Sequence, residues 1–205
     1  MSSTGHPLAP EGVNSREHFP AIEARIRAAL EQAVEWQIPY VLCFSGNRYG
    51  GGAEETAHIA AENLRTLAPA FEQTGVSLVL ELLNSKVVHR DYEADHTAWG
   101  VRVCEMVDSP RVRLLYDVFH MQIMEGDLIR TIREFHPFFA HYHTAGNPGR
   151  GDLDETQEIY YPAVFQAIAA TGHAGYIGHE FFPKHDPLVS LRAAFELTKA
   201  AVEAV

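Results

Sequence analysis

The chain has 205 residues, and its 16 Lys+Arg against 27 Asp+Glu leave a formal net charge of −11. That length can bury a sizeable core without disulfide or metal staples, while the acidic balance excludes an extended nucleic-acid groove, which needs a cationic surface. A hydrophobic content of 46% with 21% charged residues excludes wholesale disorder.

Residues 1–15 read as a flexible polar lead-in, without the basic and apolar regions of a secretory signal. Residues 16–205 show no break in composition and read as one domain. Apolar positions Ile22, Ile26, Leu30, Ala33 and Val34 recur every three to four residues and predict a helix over Phe19–Trp36. A short apolar run, Tyr40–Phe44, predicts a strand, and Ser45–Gly52 supplies the turn that follows. Gly46 and Gly50–Gly52 form neither a dinucleotide fingerprint nor a phosphate loop. A second helix is expected over Ala53–Gln73, with Gly75 as its stop. Val76–Leu83 predicts a strand that is buried on both faces.

The alternation continues with a helix at Thr97–Val107, a strand at Val112–Val118 and a helix at Leu128–Phe135. A strand at Phe139–Thr144, a helix at Tyr161–Thr171 and a strand at Tyr176–Phe181 follow, and Pro187–Val205 forms the last helix. Five strands alternating with six helices specify an α/β fold with a parallel sheet, either closed into a barrel or open. No apolar run is long enough to cross a bilayer. Two cysteines, Cys43 and Cys104, are too few for a disulfide scaffold and read as small buried hydrophobes of a reducing, cytoplasmic compartment.

Function in parallel α/β folds sits at the carboxyl ends of the strands. Four of the expected strands close on a metal-competent side chain: Glu81, Asp117, His143 and Glu180. Each lies in or beside an apolar run, where a lone charge is costly. Carboxylates gathered at one end of a sheet repel one another unless a cation neutralises them. Three carboxylates and one imidazole suit a divalent ion such as Mn²⁺ or Mg²⁺, with Co²⁺ as a further choice. His120, three residues after Asp117, reads either as a holder of a substrate oxygen or as a capping or solvent histidine. His141, on the same strand face as His143, reads as its supporting partner or as a satisfied core histidine. Arg150 reads as a carboxylate or sugar-oxygen clamp or as an ordinary loop arginine. Asn84 and Lys86 follow Glu81 closely, and their position alone makes them substrate candidates.

The segments LELLNSKV, LLYDVFHMQIMEGD, HYHTAGNPGR, QEIYYPAVFQAI and GYIGHEFFP resemble the hydroxypyruvate isomerase group of the xylose-isomerase-like TIM barrels, over about residues 15–187. The resemblance implies a (β/α) barrel of TIM type. It also implies that Glu81, Asp117, His143 and Glu180 ligate a divalent metal. Glu81 and Glu180 would double as the acid/base pair, and His120 and Arg150 would face a small hydroxy-carbonyl or sugar substrate. Isomerisation would proceed by proton abstraction alpha to a carbonyl. A ketose 3-epimerase, a keto-sugar lyase or deglycosidase, and an inactive sugar-binding barrel are the alternatives. Endonuclease IV shares the superfamily, but its histidine-rich trinuclear zinc pattern is absent here. A complete barrel of this type has eight strands and roughly 250 residues, so the first three βα units are expected to be missing. Exposed strand edges would then favour self-association.

Overall fold

A computed structural model describes residues 11–205. In chain order they form α1 (Phe19–Glu35), β1 (Tyr40–Cys43), α2 (Ala53–Thr74), β2 (Ser77–Glu81), α3 (Thr97–Val107), β3 (Val112–Asp117), α4 (Val118–Met124), α5 (Leu128–Phe135), a 3-10 turn (His136–Phe138), β4 (Phe139–Thr144), α6 (Tyr161–Ala170), β5 (Ile177–His179) and α7 (Pro187–Val202). The strand–helix alternation is the expected one. Two compact units divide the chain, the first ending at Arg113 and the second beginning at Leu114. Among the described residues no helix is long and apolar enough to cross a membrane.

In the first unit α1 buries Phe19, Ile22, Ile26, Leu30 and Ala33, one stripe of an amphipathic helix. Helix α2 opens with Glu54 and Glu55, acids placed at the favourable end of the helix dipole, and closes at Gly75 in the left-handed conformation, φ 76°. Strands β1 and β2 run parallel, with Tyr40 opposite Ser77 and Cys43 opposite Leu80. Every residue of β2 is buried, as its apolar run requires. Both cysteines are buried and free, and burial pushes the Cys104 thiol up to about 12.

Of the lead-in expected over residues 1–15, residues 1–10 lie outside the described residues. Residues 11–15 are held in place: Val13 is fully buried, its N–H donates to the Phe44 carbonyl at 3.0 Å, and the Asn14 N–H donates to the Ser45 carbonyl at 2.9 Å. Two glycines permit this approach, because a Cβ on Gly12 would lie 2.1 Å from the Gly46 nitrogen. The loop after β1 is fixed from the other side by Tyr92. Its hydroxyl accepts from the Ser45 N–H at 3.0 Å and donates to the Glu81 carbonyl at 2.9 Å. Beside it Arg48 reaches Asp95 at 2.7 Å and lies 3.7 Å from Glu93. Asp95 also receives hydrogen bonds from Ser85 and His96.

The second unit holds most of β3, with β4 and β5 parallel beside it. Asp117 stands opposite His143, and His143 opposite Gly178. A register shift between Leu114 and Leu115 sets one extra residue, Ala140, into β4, so that His141 and His143 align with Leu115 and Asp117. Behind them Tyr116, Phe139 and Tyr142 pack their rings with centroids 4.6–6.1 Å apart. Six helices were expected, and seven α-helices and a 3-10 turn occur among the described residues. Helix α4 is the addition: two turns are too short to display a periodic stripe, and it begins where β3 ends. Strand β5 is shorter than expected, so Glu180 lies one residue beyond it, though its N–H still donates to the Thr144 carbonyl at 3.0 Å. Helix α7 starts with Pro187 behind Asp186, whose carboxyl accepts from the Leu188 N–H at 2.9 Å.

Tyr92→Phe should lower stability by about 1–3 kcal/mol, because two buried backbone groups lose their partner. Thermal melting checks this, with helical circular dichroism unchanged at ambient temperature. Asp95 gives a pH test. Burial raises its pKa, but the hydrogen bonds from Arg48, Ser85 and His96 outweigh that and hold it below the ordinary value. A depressed carboxyl stabilises the fold fully above its unfolded pKa of about 3.9 and loses that effect as pH falls through the folded value. Asp95→Asn should therefore be less stable than the parent at neutral pH in urea titrations, with the gap closing below about pH 4.

Candidate metal centre

Asp117 ends β3 and caps α4. Its Oδ1 accepts from the His120 N–H at 3.0 Å. Its Oδ2 lies 4.0 Å from His143 Nδ1, 4.0 Å from Arg150 Nη2 and 3.8 Å from His120 Nε2. Asp117, His120 and His143 are all buried. Glu180, half exposed, approaches from the end of β5, with Oε2 3.1 Å from His143 Nδ1 and 2.6 Å from Arg150 Nη2. The Arg150 guanidinium is set over the Phe119 ring, 5.6 Å from its centroid.

The charges follow from these contacts. Burial works against the Glu180 carboxylate, but the hydrogen bond from His143 and the positive charge of Arg150 outweigh it and hold its pKa below the ordinary value. His141 stands 5.0 Å from His143, ring to ring. Burial, and then the neighbouring His143, push it down to about 4, so it adds no charge near neutral pH. Gly178 makes room for both rings, since a Cβ there would lie 3.0 Å from His143 Cδ2 and 3.3 Å from His141 Nε2.

Asp117, His143 and Glu180 each offer a ligand atom within 4.8 Å of one another. Ligands at roughly 2.0–2.6 Å from one ion stand up to about 5 Å apart, so this spacing admits a shared cation. Carboxylate oxygens with one imidazole are a donor set for a hard or borderline divalent ion. Glu81 holds the equivalent place in the first unit, buried as the last residue of β2. Asn84 is committed to its own turn, its Oδ1 accepting from the Val87 and Val88 N–H groups at 3.1 and 2.9 Å. Lys86 is exposed. Phe119 and Gly178 were not among the expected site residues. An apolar ring and a glycine carry no chemical signature in a sequence; the contact of Arg150 with the ring and the register of β4 against β5 reveal their place.

The profile of the xylose isomerase-like TIM barrel family matches residues 5–201. The chain belongs to that family. Five of the eight strands of a TIM barrel are present among the described residues, so the fold is an incomplete member of the type. A human protein whose name gives it provisionally as a hydroxypyruvate isomerase is 32% identical over 84% of this chain and 65% of its own length. The hydroxypyruvate isomerase of Escherichia coli K12 is 29% identical over 82% of this chain and 64% of its own length. This chain thus spans less than two thirds of either relative. Among solved structures, an AP endonuclease of family 2 from Brucella melitensis superposes with a TM-score of 0.83 at 26% identity, covering 90% of this chain and 70% of that one.

Asp117→Asn separates two duties of one side chain. Asparagine caps a helix about as well as aspartate, so the thermal midpoint should stay near the parent's. Binding of Mn²⁺, followed by calorimetry, should weaken at least about tenfold, or ~1.4 kcal/mol. Unchanged Mn²⁺ affinity would remove Asp117 from the centre.

Proposed function

We propose that this chain carries the metal and acid/base machinery of an isomerase for a small 2-oxo acid bearing a hydroxyl beside the carbonyl, hydroxypyruvate being the simplest. The observation that carries this is Arg150. A guanidinium set on the same Glu180 oxygen that His143 contacts supplies a fixed positive charge beside two carboxylates. Such a fork matches a substrate carboxylate. The named relatives support the same class, since hydroxypyruvate isomerase and the 2-oxo-tetronate isomerase of Haemophilus influenzae, 30% identical over 81% of this chain, are both named for 2-oxo acids. The net charge of −11 weighs against a nucleic-acid substrate.

In this proposal Glu81, Asp117, His143 and Glu180 hold one divalent cation, Mn²⁺ or Mg²⁺. Glu81 enters by its strand-end position, which repeats that of Asp117. A cation bound there would supply Lewis-acid polarisation of the substrate carbonyl. Glu180, kept ionised by its neighbours, takes the proton from the carbon alpha to that carbonyl. The electron pair left behind delocalises into the carbonyl as an enediolate. Glu81 delivers a proton to the neighbouring carbon, the former carbonyl carbon, while the hydroxyl proton passes to the former carbonyl oxygen, which completes the shift of the carbonyl by one position. His120 and Arg150 orient the substrate oxygens, Arg150 at the carboxylate.

Solvent deuterium reads the first step directly. Hydroxypyruvate incubated with the protein and Mn²⁺ in deuterated buffer should gain deuterium at its hydroxymethyl carbon, followed by proton NMR, and chelator should stop the gain. Glu180→Gln should slow it by about 10²–10⁴-fold, because an amide is no base. Exchange that proceeds normally in that variant, or in chelator, would overturn the proposal.

A further inference from the structure

The loop that presents Arg150 is stitched to the segment after β5 by contacts that play no part in the chemistry above. Arg150 itself adopts a left-handed backbone, φ 54°, which is uncommon for a residue with a side chain. Its carbonyl accepts from the Phe182 N–H at 2.8 Å, and Gly151 and Gly146 exchange backbone hydrogen bonds at 2.8 and 3.2 Å. Lys184 lies along Gly151, where a Cβ would come within 2.9 Å of its Cε, and its ammonium binds Asp154 at 3.0 Å.

At the centre of this strap is Asp152. Its carboxyl group is buried, although Lys184 gives its charge to Asp154. Asp152 Oδ1 accepts from the Lys184 N–H at 3.3 Å, and Oδ2 accepts from the Ser190 hydroxyl at 2.9 Å. Ser190 lies in the first turns of α7. One buried side chain thus joins the loop after β4, the segment after β5 and the start of α7. Burying a carboxyl group is costly without compensation, and here two hydrogen bonds provide it. The two segments so joined end, a few residues away, in Arg150 and Glu180, whose side chains meet at 2.6 Å.

We propose that Asp152 is a positioning residue that sets the Arg150 guanidinium against Glu180. This rests on the reading of Arg150 as the substrate-carboxylate clamp. Asp152 touches no reacting atom. It fixes the spacing of the two segments, and through that spacing it maintains the left-handed turn from which the Arg150 side chain departs.

The test reads Arg150 directly. Its side-chain N–H signal in a ¹H–¹⁵N spectrum is identified by its disappearance in Arg150→Lys. In Asp152→Ala that signal should shift and exchange faster with solvent, and in Ser190→Ala, which removes one bond of two, it should move less in the same direction. With hydroxypyruvate and Mn²⁺, KM should rise about 10-fold or more in Asp152→Ala, the scale of losses seen on removing groups that orient site residues, with a smaller change in kcat. Asp152→Asn, which retains the acceptor for Lys184, should restore part of both readouts. An Arg150 signal and KM that stay at parent values while the thermal midpoint falls would make Asp152 merely structural and overturn the proposal. If Asp152→Ala does not fold, Ser190→Ala and Asp152→Asn decide by the same signal. A parent protein without isomerase activity would sink the functional reading and leave the Arg150 signal to judge Asp152 alone.

Discussion

Crowding of like charge is the constraint on which the second unit is built. Asp117 and Glu180 carry carboxyl groups into the same few ångströms, beside the imidazole of His143. Two carboxylates at that spacing cannot both stay ionised without positive charge nearby. Arg150 provides it from within the chain, at 2.6 Å from Glu180 and 4.0 Å from Asp117. Much of the local structure serves that placement. Phe119 offers a ring face to the guanidinium, and the backbone at Arg150 adopts a strained conformation to bring it there.

A second requirement is that the imidazole side be free of extra charge. His141 could have spoiled this, standing on the same face two residues before His143. Its burial keeps it neutral. The bulge in β4 decides which residues share that face: Ala140 is the extra residue, and past it the histidines align with Leu115 and Asp117. The absence of a side chain at Gly178 then admits both rings. Register, burial and a missing Cβ thus act together on His143.

Much of this was legible in the sequence, for a physical reason. A charged residue at the end of an apolar run is expensive, so Glu81, Asp117, His143 and Glu180 stood out against their strands. Thr97–Val107, Leu128–Phe135 and Phe139–Thr144 could be bounded to the residue, because the spacing of apolar residues and the composition of the flanking segments agree there. Helix α4 was hidden, since seven residues give too little periodicity, and its cap is Asp117, a residue already explained as a ligand. Asp152 was hidden for the opposite reason. In a stretch rich in Gly and Asp it reads as ordinary loop, and its burial depends on Lys184 and Ser190, more than thirty residues away. The bulge at Ala140 leaves no trace in composition at all.

The direct passage of β3 into α4 bears on how this site can vary. Asp117, Phe119 and His120 lie on one uninterrupted piece of backbone, with no loop to absorb a change in length. Each residue of an α-helix turns the next by about 100°. A single insertion between Asp117 and His120 would swing the histidine off its face and carry the Phe119 ring out from under Arg150. Substitution, which leaves the spacing of Asp117, Phe119 and His120 intact, is therefore the change this corner can absorb.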